Sequence, residues 1–86
     1  MNKIISSNIS KFYILETEID GEIKYMSNTV ELVDDINKAA KFFLDNGFSG
    51  YTAKSNAEHW KDRIESKYNC VVSIIPGEKV TEIRLL

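Results

Sequence analysis

The stretch KFYILETEIDGEIKYMS, residues 11–27, decides the fold. β-Branched and aromatic residues flank Asp20-Gly21, a dipeptide that accepts positive φ, and so predict two strands joined as a hairpin. A two-residue Asp-Gly loop would pair odd positions with even ones and split the apolar residues between the two faces. A three-residue loop with a glycine bulge instead gathers Tyr13, Leu15, Thr17, Ile19, Ile23 and Tyr25 on one face, leaving Glu16, Glu18, Glu22 and Lys24 on the other. The bulged loop is the expectation, because only it gives one buried side and one wet side.

Beyond the hairpin, Leu32, Val33, Ile36, Ala39, Ala40, Phe43 and Leu44 recur at steps of three and four, predicting an amphipathic helix over residues 31–46. Its start falls at either Asn28 or Asp34; Asp34 and Asp35 suit its first turn, and Gly47 its C-terminal stop. Residues 48–52 read as a connector or a short edge strand. Ser55 and Glu58 then have the spacing of a reciprocal capping box, starting a second helix with the stripe Ala57, Trp60, Ile64 and Tyr68, which Asn69 ends. Residues 70–75 form a short apolar run that reads as a central strand because both its faces are apolar, Pro76-Gly77 reads as a turn, and Val80, Ile83, Leu85 and Leu86 make a last strand suited to an edge. The expected fold is α+β: an antiparallel sheet from two hairpins, order ββααββ, with two helices packed on one face. Residues 1–86 form a single domain whose first ten residues are either flexible or an extra edge strand.

Composition narrows the function. Hydrophobic residues at 43% and charged residues at 28% are those of an ordinary globular domain. A lone cysteine, Cys70, excludes an internal disulfide, and no apolar run suits a signal peptide or a bilayer span. The expectation is a cytoplasmic protein without a membrane partner, in the bacterial host cell if it derives from a phage. His59 is the only histidine and has no second nitrogen or thiolate beside it, so no metal site, cofactor or catalytic residue is expected. The glycines at 21, 47, 50 and 77 are scattered and build no phosphate-binding loop.

One feature points outward. Seven of the thirteen acids fall between Glu16 and Asp35 with only Lys24 among them, and residues 1–35 hold seven acids against three bases although the whole chain carries only −2. Like charges concentrated on one side cost stability, and they suit a surface that docks on a basic partner. The candidate contact residues are Glu16, Glu18, Asp20, Glu22, Asp34 and Asp35, with Tyr13 and Tyr25 as apolar anchors. Two other readings stand beside this one. A homodimer would assemble by edge pairing through the last strand or by packing exposed aromatics. A weak nucleic-acid binder would use Lys54, Lys61, Arg63 and Lys67 with Tyr51 or Trp60, although Glu58, Asp62 and Glu65 interleave with those bases.

Tyr13-Ile14-Leu15, the Asp20-Gly21 turn, Tyr25-Met26, the run Asp35-Ile36-Asn37-Lys38-Ala39-Ala40-Lys41-Phe42 and an Ala-containing second helix together cover residues 11–68. In that order they resemble small accessory proteins of Gram-positive phages and prophages. The resemblance implies a host-directed or anti-defence role: binding and blocking a bacterial protein, such as a CRISPR effector or another nucleic-acid-handling enzyme.

Overall fold

A computed structural model describes residues 3–44 and 50–85. It contains five strands, β1 (Lys3–Ile19), β2 (Glu22–Met26), β3 (Leu32–Val33), β4 (Phe42–Phe43) and β5 (Val72–Leu85), and one helix, α1 (Gly50–Tyr68). The strands form one antiparallel sheet built on β1. Glu16 pairs with Tyr25 of β2 and with Ser73 of β5, and Tyr13 pairs with Phe42 of β4 and with Pro76 of β5. β5 therefore lies along one edge of β1, while β2 and β4 share the other edge as two pieces of one interrupted return strand.

The two-helix layer predicted from sequence is corrected to a single helix, and the second hairpin to one unbroken strand. Residues 31–44 form no α-helix: they supply β3, a 3₁₀ turn at Ile36–Lys38 capped by Asp35, and β4. The apolar spacing there serves two sheet faces, not one helix face. Ala39 joins the cluster of Phe12 and Ile14, whereas its neighbour Ala40 joins Leu15 and Met26, as consecutive residues of an extended chain do. Gly47, the proposed stop of that helix, lies outside the described residues, as does part of the 48–52 connector, whose remainder opens α1.

Pro76-Gly77 makes no turn, because β1 extends far enough to pair with β5 throughout, from Lys3 opposite Leu85 to Thr17 opposite Val72. The strand that the sequence placed at the centre is thus part of an edge strand, where a residue without an N–H is tolerated. Gly77 is required for a different reason. It faces Phe12, and a Cβ at Gly77 would come within 2.7 Å of that ring. Residues 3–10, left open by the sequence, continue β1, with a register shift between Ile4 and Ser6.

The Asp20-Gly21 loop has two residues, with φ of 53° and 80°, so Ile19 pairs with Glu22. This is the primed turn whose twist matches the strands. The bulged loop is therefore overturned, and the apolar residues are split after all. The split is tolerated because both faces are partly covered. On one face α1 packs Ala57, Ile64 and Trp60 against Tyr13, Leu15, Met26, Val72 and Ile74. On the other, Ala39 and the segment around it lie over Phe12, Ile14, Tyr25 and Ile75.

The α1 stripe is the one read from sequence, with Ala57 and Ile64 fully buried. Asn69, at φ 51°, ends the helix in the left-handed region that Asn accepts. The helix begins at Gly50, so Ser55 and Glu58 lie inside it and cap nothing. Among the described residues no helix is long and apolar enough to cross a membrane.

Phe12 is 9% exposed and meets Phe43 edge-to-face at 5.7 Å, so its ring has little freedom to retreat. Gly77→Ala should therefore cost about 1–3 kcal/mol in urea unfolding, the range for overpacking a filled site. Gly77→Ala combined with Phe12→Leu should recover part of that loss, showing that the ring is what the methyl group strikes.

Candidate functional site

The corrected register redistributes the acidic residues. Glu16 and Glu18 stay on the face opposite α1, where Tyr25 and Ile23 are their direct cross-strand partners. Glu22 and Lys24 pair with Ile19 and Thr17 and so belong to the helix side. Lys24 then holds two carboxylates, Glu22 at 3.2 Å and Asp34, which accepts a short hydrogen bond from its ammonium. These two partners, Asp34 first, raise the Lys24 pKa above 10.5. Asp35 accepts from the Asn37 amide at 2.9 Å and serves as the cap of the 3₁₀ turn. Asp20 sits exposed in the loop.

Of the eight residues singled out by sequence, the structure brings three together on one face: Glu16, Glu18 and Tyr25, the tyrosine half-buried against the cluster of Phe12, Ile14 and Ala39. Tyr13 is half-buried against the α1 core, on the far face from Glu16 and Glu18. Sequence reasoning missed two members of the surface. Ile23, 44% exposed, lies directly beside Glu18, and Val71, 81% exposed, enters the sheet next to Val72, the residue opposite Thr17. A strip at the hairpin end thus sets two carboxylates on the central strand, beside Ile23 and Tyr25 on one flank and near Val71 on the other. Neither Glu16 nor Glu18 makes a salt bridge among the described residues. The two-residue reading of Asp20-Gly21 was the signal that would have placed Ile23 and Tyr25 with them.

No protein-family model, curated protein or solved structure matches this chain.

A concavity lies on the helix side, about 870 Å³ in volume and lined by Val30, His59, Trp60, Asp62, Arg63, Ser66 and Lys67. It is the place where the basic residues of α1 would meet a nucleic acid. The geometry already uses them. The Arg63 guanidinium lies 5.6 Å from the centroid of the Trp60 ring, occupying surface on which a base would stack, and His59 meets the same ring edge-to-face at 5.2 Å. Lys67 donates to the Val30 carbonyl at 3.3 Å and lies near the Tyr68 ring, while Lys61 pairs with Glu65. Val30 itself has φ of 60°, a strained value for a β-branched residue, and is held there by packing against the core. Cys70 is half-buried, its thiol 3.9 Å from the Ile64 carbonyl.

The strip depends on how β5 starts. Thr17 donates to the Val71 carbonyl at 2.7 Å, and the Val72 amide donates to Glu65 of α1 at 2.8 Å. That amide hydrogen bond, with Lys61 adding to it, lowers the Glu65 pKa below 4.5. A carboxylate whose folded pKa is depressed stabilises the fold above its unfolded value and loses that contribution as pH falls through the folded one. The native protein should lose stability as pH drops below about 4.5, and in Glu65→Gln that part of the slope should be reduced, as followed by thermal unfolding across pH 2–6.

Proposed function

We propose that this protein acts by contact, as a protein-binding module that docks the hairpin-end strip on a basic surface of its partner. The observation that carries the reading is the pairing of Glu16 and Glu18, unneutralised among the described residues, with the exposed side chain of Ile23 directly across the strand from Glu18. Carboxylates left without a cation supply charge complementarity and steer association. The apolar neighbours supply area that water leaves on binding. Asp20 extends the acidic character to the loop, whereas Glu22 and Asp34 are already matched within the fold.

The partner we propose is a bacterial nucleic-acid-handling protein, met in the phage-encoded, host-directed setting that the sequence resemblance implies. The support is chemical: carboxylates spaced along a strand can stand where phosphates would in a basic groove. The α1 depression does not compete with this reading, because Arg63 lies over the Trp60 ring and Lys67 is engaged with the Val30 carbonyl and the Tyr68 ring.

Immobilised protein should retain a basic partner from a Gram-positive bacterial lysate, with an association rate that falls as salt rises. Glu16→Lys with Glu18→Lys should weaken that complex at least about tenfold while leaving thermal unfolding nearly unchanged. Unchanged affinity and salt dependence in the double variant would remove the strip from the account.

A further inference from the structure

The end of the sheet remote from Asp20-Gly21 is a two-stranded ribbon. Residues 3–10 of β1 pair with residues 79–85 of β5, and the other edge of β1, which β4 takes at Phe12 and Tyr13 and β2 from Glu16 to Ile19, has no strand partner along 3–10 among the described residues. A ribbon of two strands is marginal in water by itself. This one also exposes apolar side chains: Ile9 and Val80, cross-strand neighbours, are 54% and 51% exposed, and Ile83 and Leu85 are 58% and 56% exposed. The molecule measures 51 × 30 × 18 Å, with a radius of gyration of 15.5 Å against about 12 Å for a compact domain of its length.

We propose that this ribbon is a dimerisation arm, on which the open edge of β1 pairs antiparallel with the same edge of a second copy. Three observations select that occupant. First, an antiparallel pair of identical segments is isologous, so a single contact closes both edges at once and puts both copies' helix-side faces on the same side of one sheet. Second, identical strands set like beside like, which charged edges resist, and residues 4–10 contain no charge and no proline. The outer edge of β5 is the contrary case, since it carries Pro76, Glu78, Lys79, Glu82 and Arg84. The dimer edge is therefore the first strand, not the last.

Third, the extended ribbon leaves the molecule with surplus surface. The accessible surface of 6261 Å² exceeds by about 1,100 Å² that of a folded monomer of this mass. A standard interface removes about 800 Å² from each partner. The register shift at Ile4/Ser6 and the charge of Lys11 bound the pairing to residues 6–10, so Asn8 sits on the two-fold axis opposite its own copy. Ile9 and Val80 of both copies then fall on one face, close to the axis.

The test is sedimentation equilibrium of the full chain from micromolar to hundreds of micromolar. Twice the 9.8 kDa chain mass is expected at the upper end. Asn8→Lys and Asn8→Asp place like charges directly across the axis, and each should weaken the dimer at least about tenfold with an unchanged circular dichroism spectrum. An equimolar mixture of the two should restore it, since opposite charges now face each other. Wild-type protein that stays monomeric throughout, a dimer indifferent to both variants, or a mixture that fails to reassociate would each overturn the arm. Glu16→Lys with Glu18→Lys should leave the dimer intact, so loss of docking at the hairpin end and loss of the arm are separate results.

Discussion

Every strand but β3 takes its hydrogen bonds from β1, and β3 reaches it through β2. That one strand pairs with β5 along one edge as far as Thr17, with β4 at Phe12 and Tyr13 and β2 from Glu16 to Ile19 along the other, and both its faces are packed in the middle, so its side chains alternate between two cores. Leu15, 1% exposed, points to α1, while Ile14, 5% exposed, points to the segment around Ala39. The lack of a wet face on the middle of β1 determines how the rest of the chain is used. The return strand breaks into β2 and β4, and the segment between them adds β3 beside β2 and then brings Ala39 onto the second face. Ser27 organises that exit: its amide donates to the Glu31 carbonyl at 2.8 Å, and its buried hydroxyl meets Thr29 at 2.9 Å.

Much of this was legible from residues alone, but only where one pattern had one meaning. The hairpin at Asp20-Gly21, the α1 stripe and its end at Asn69 each rest on local chemistry that tertiary packing did not contradict. Residues 31–44 were not legible, because apolar side chains at steps of one, three and four satisfy a helix and also an extended segment that feeds two cores. Pro76-Gly77 misled for a related reason. The pair signals a turn unless an edge strand tolerates a residue without an N–H and a ring excludes a Cβ at the next position, and Phe12, the residue that decides it, lies more than sixty positions earlier.

The candidate site divides in the same way. Its acidity was visible as composition, and Tyr25 as an available anchor. Its true extent was not, since a one-residue difference in the loop exchanges Glu22 for Ile23 on the exposed face. The matching of Asp34 to Lys24 was equally hidden, because it requires β3 to fold back beside β2. What sequence presented as one negative region is in the fold a locally neutralised cluster on one side and a bare strip on the other.

The ladder between β1 and β5 also sets how the chain can find this state. Its innermost pair, Thr17 with Val72, already encloses more than fifty residues. The hairpin at Asp20-Gly21 closes locally, in microseconds, but the longest ladder must await a distant segment, and the entropy of bringing it back is lost before its contacts return anything. Assembly should therefore proceed from the tip, with β5 zipping last along a template already made, and should be slow for so small a molecule.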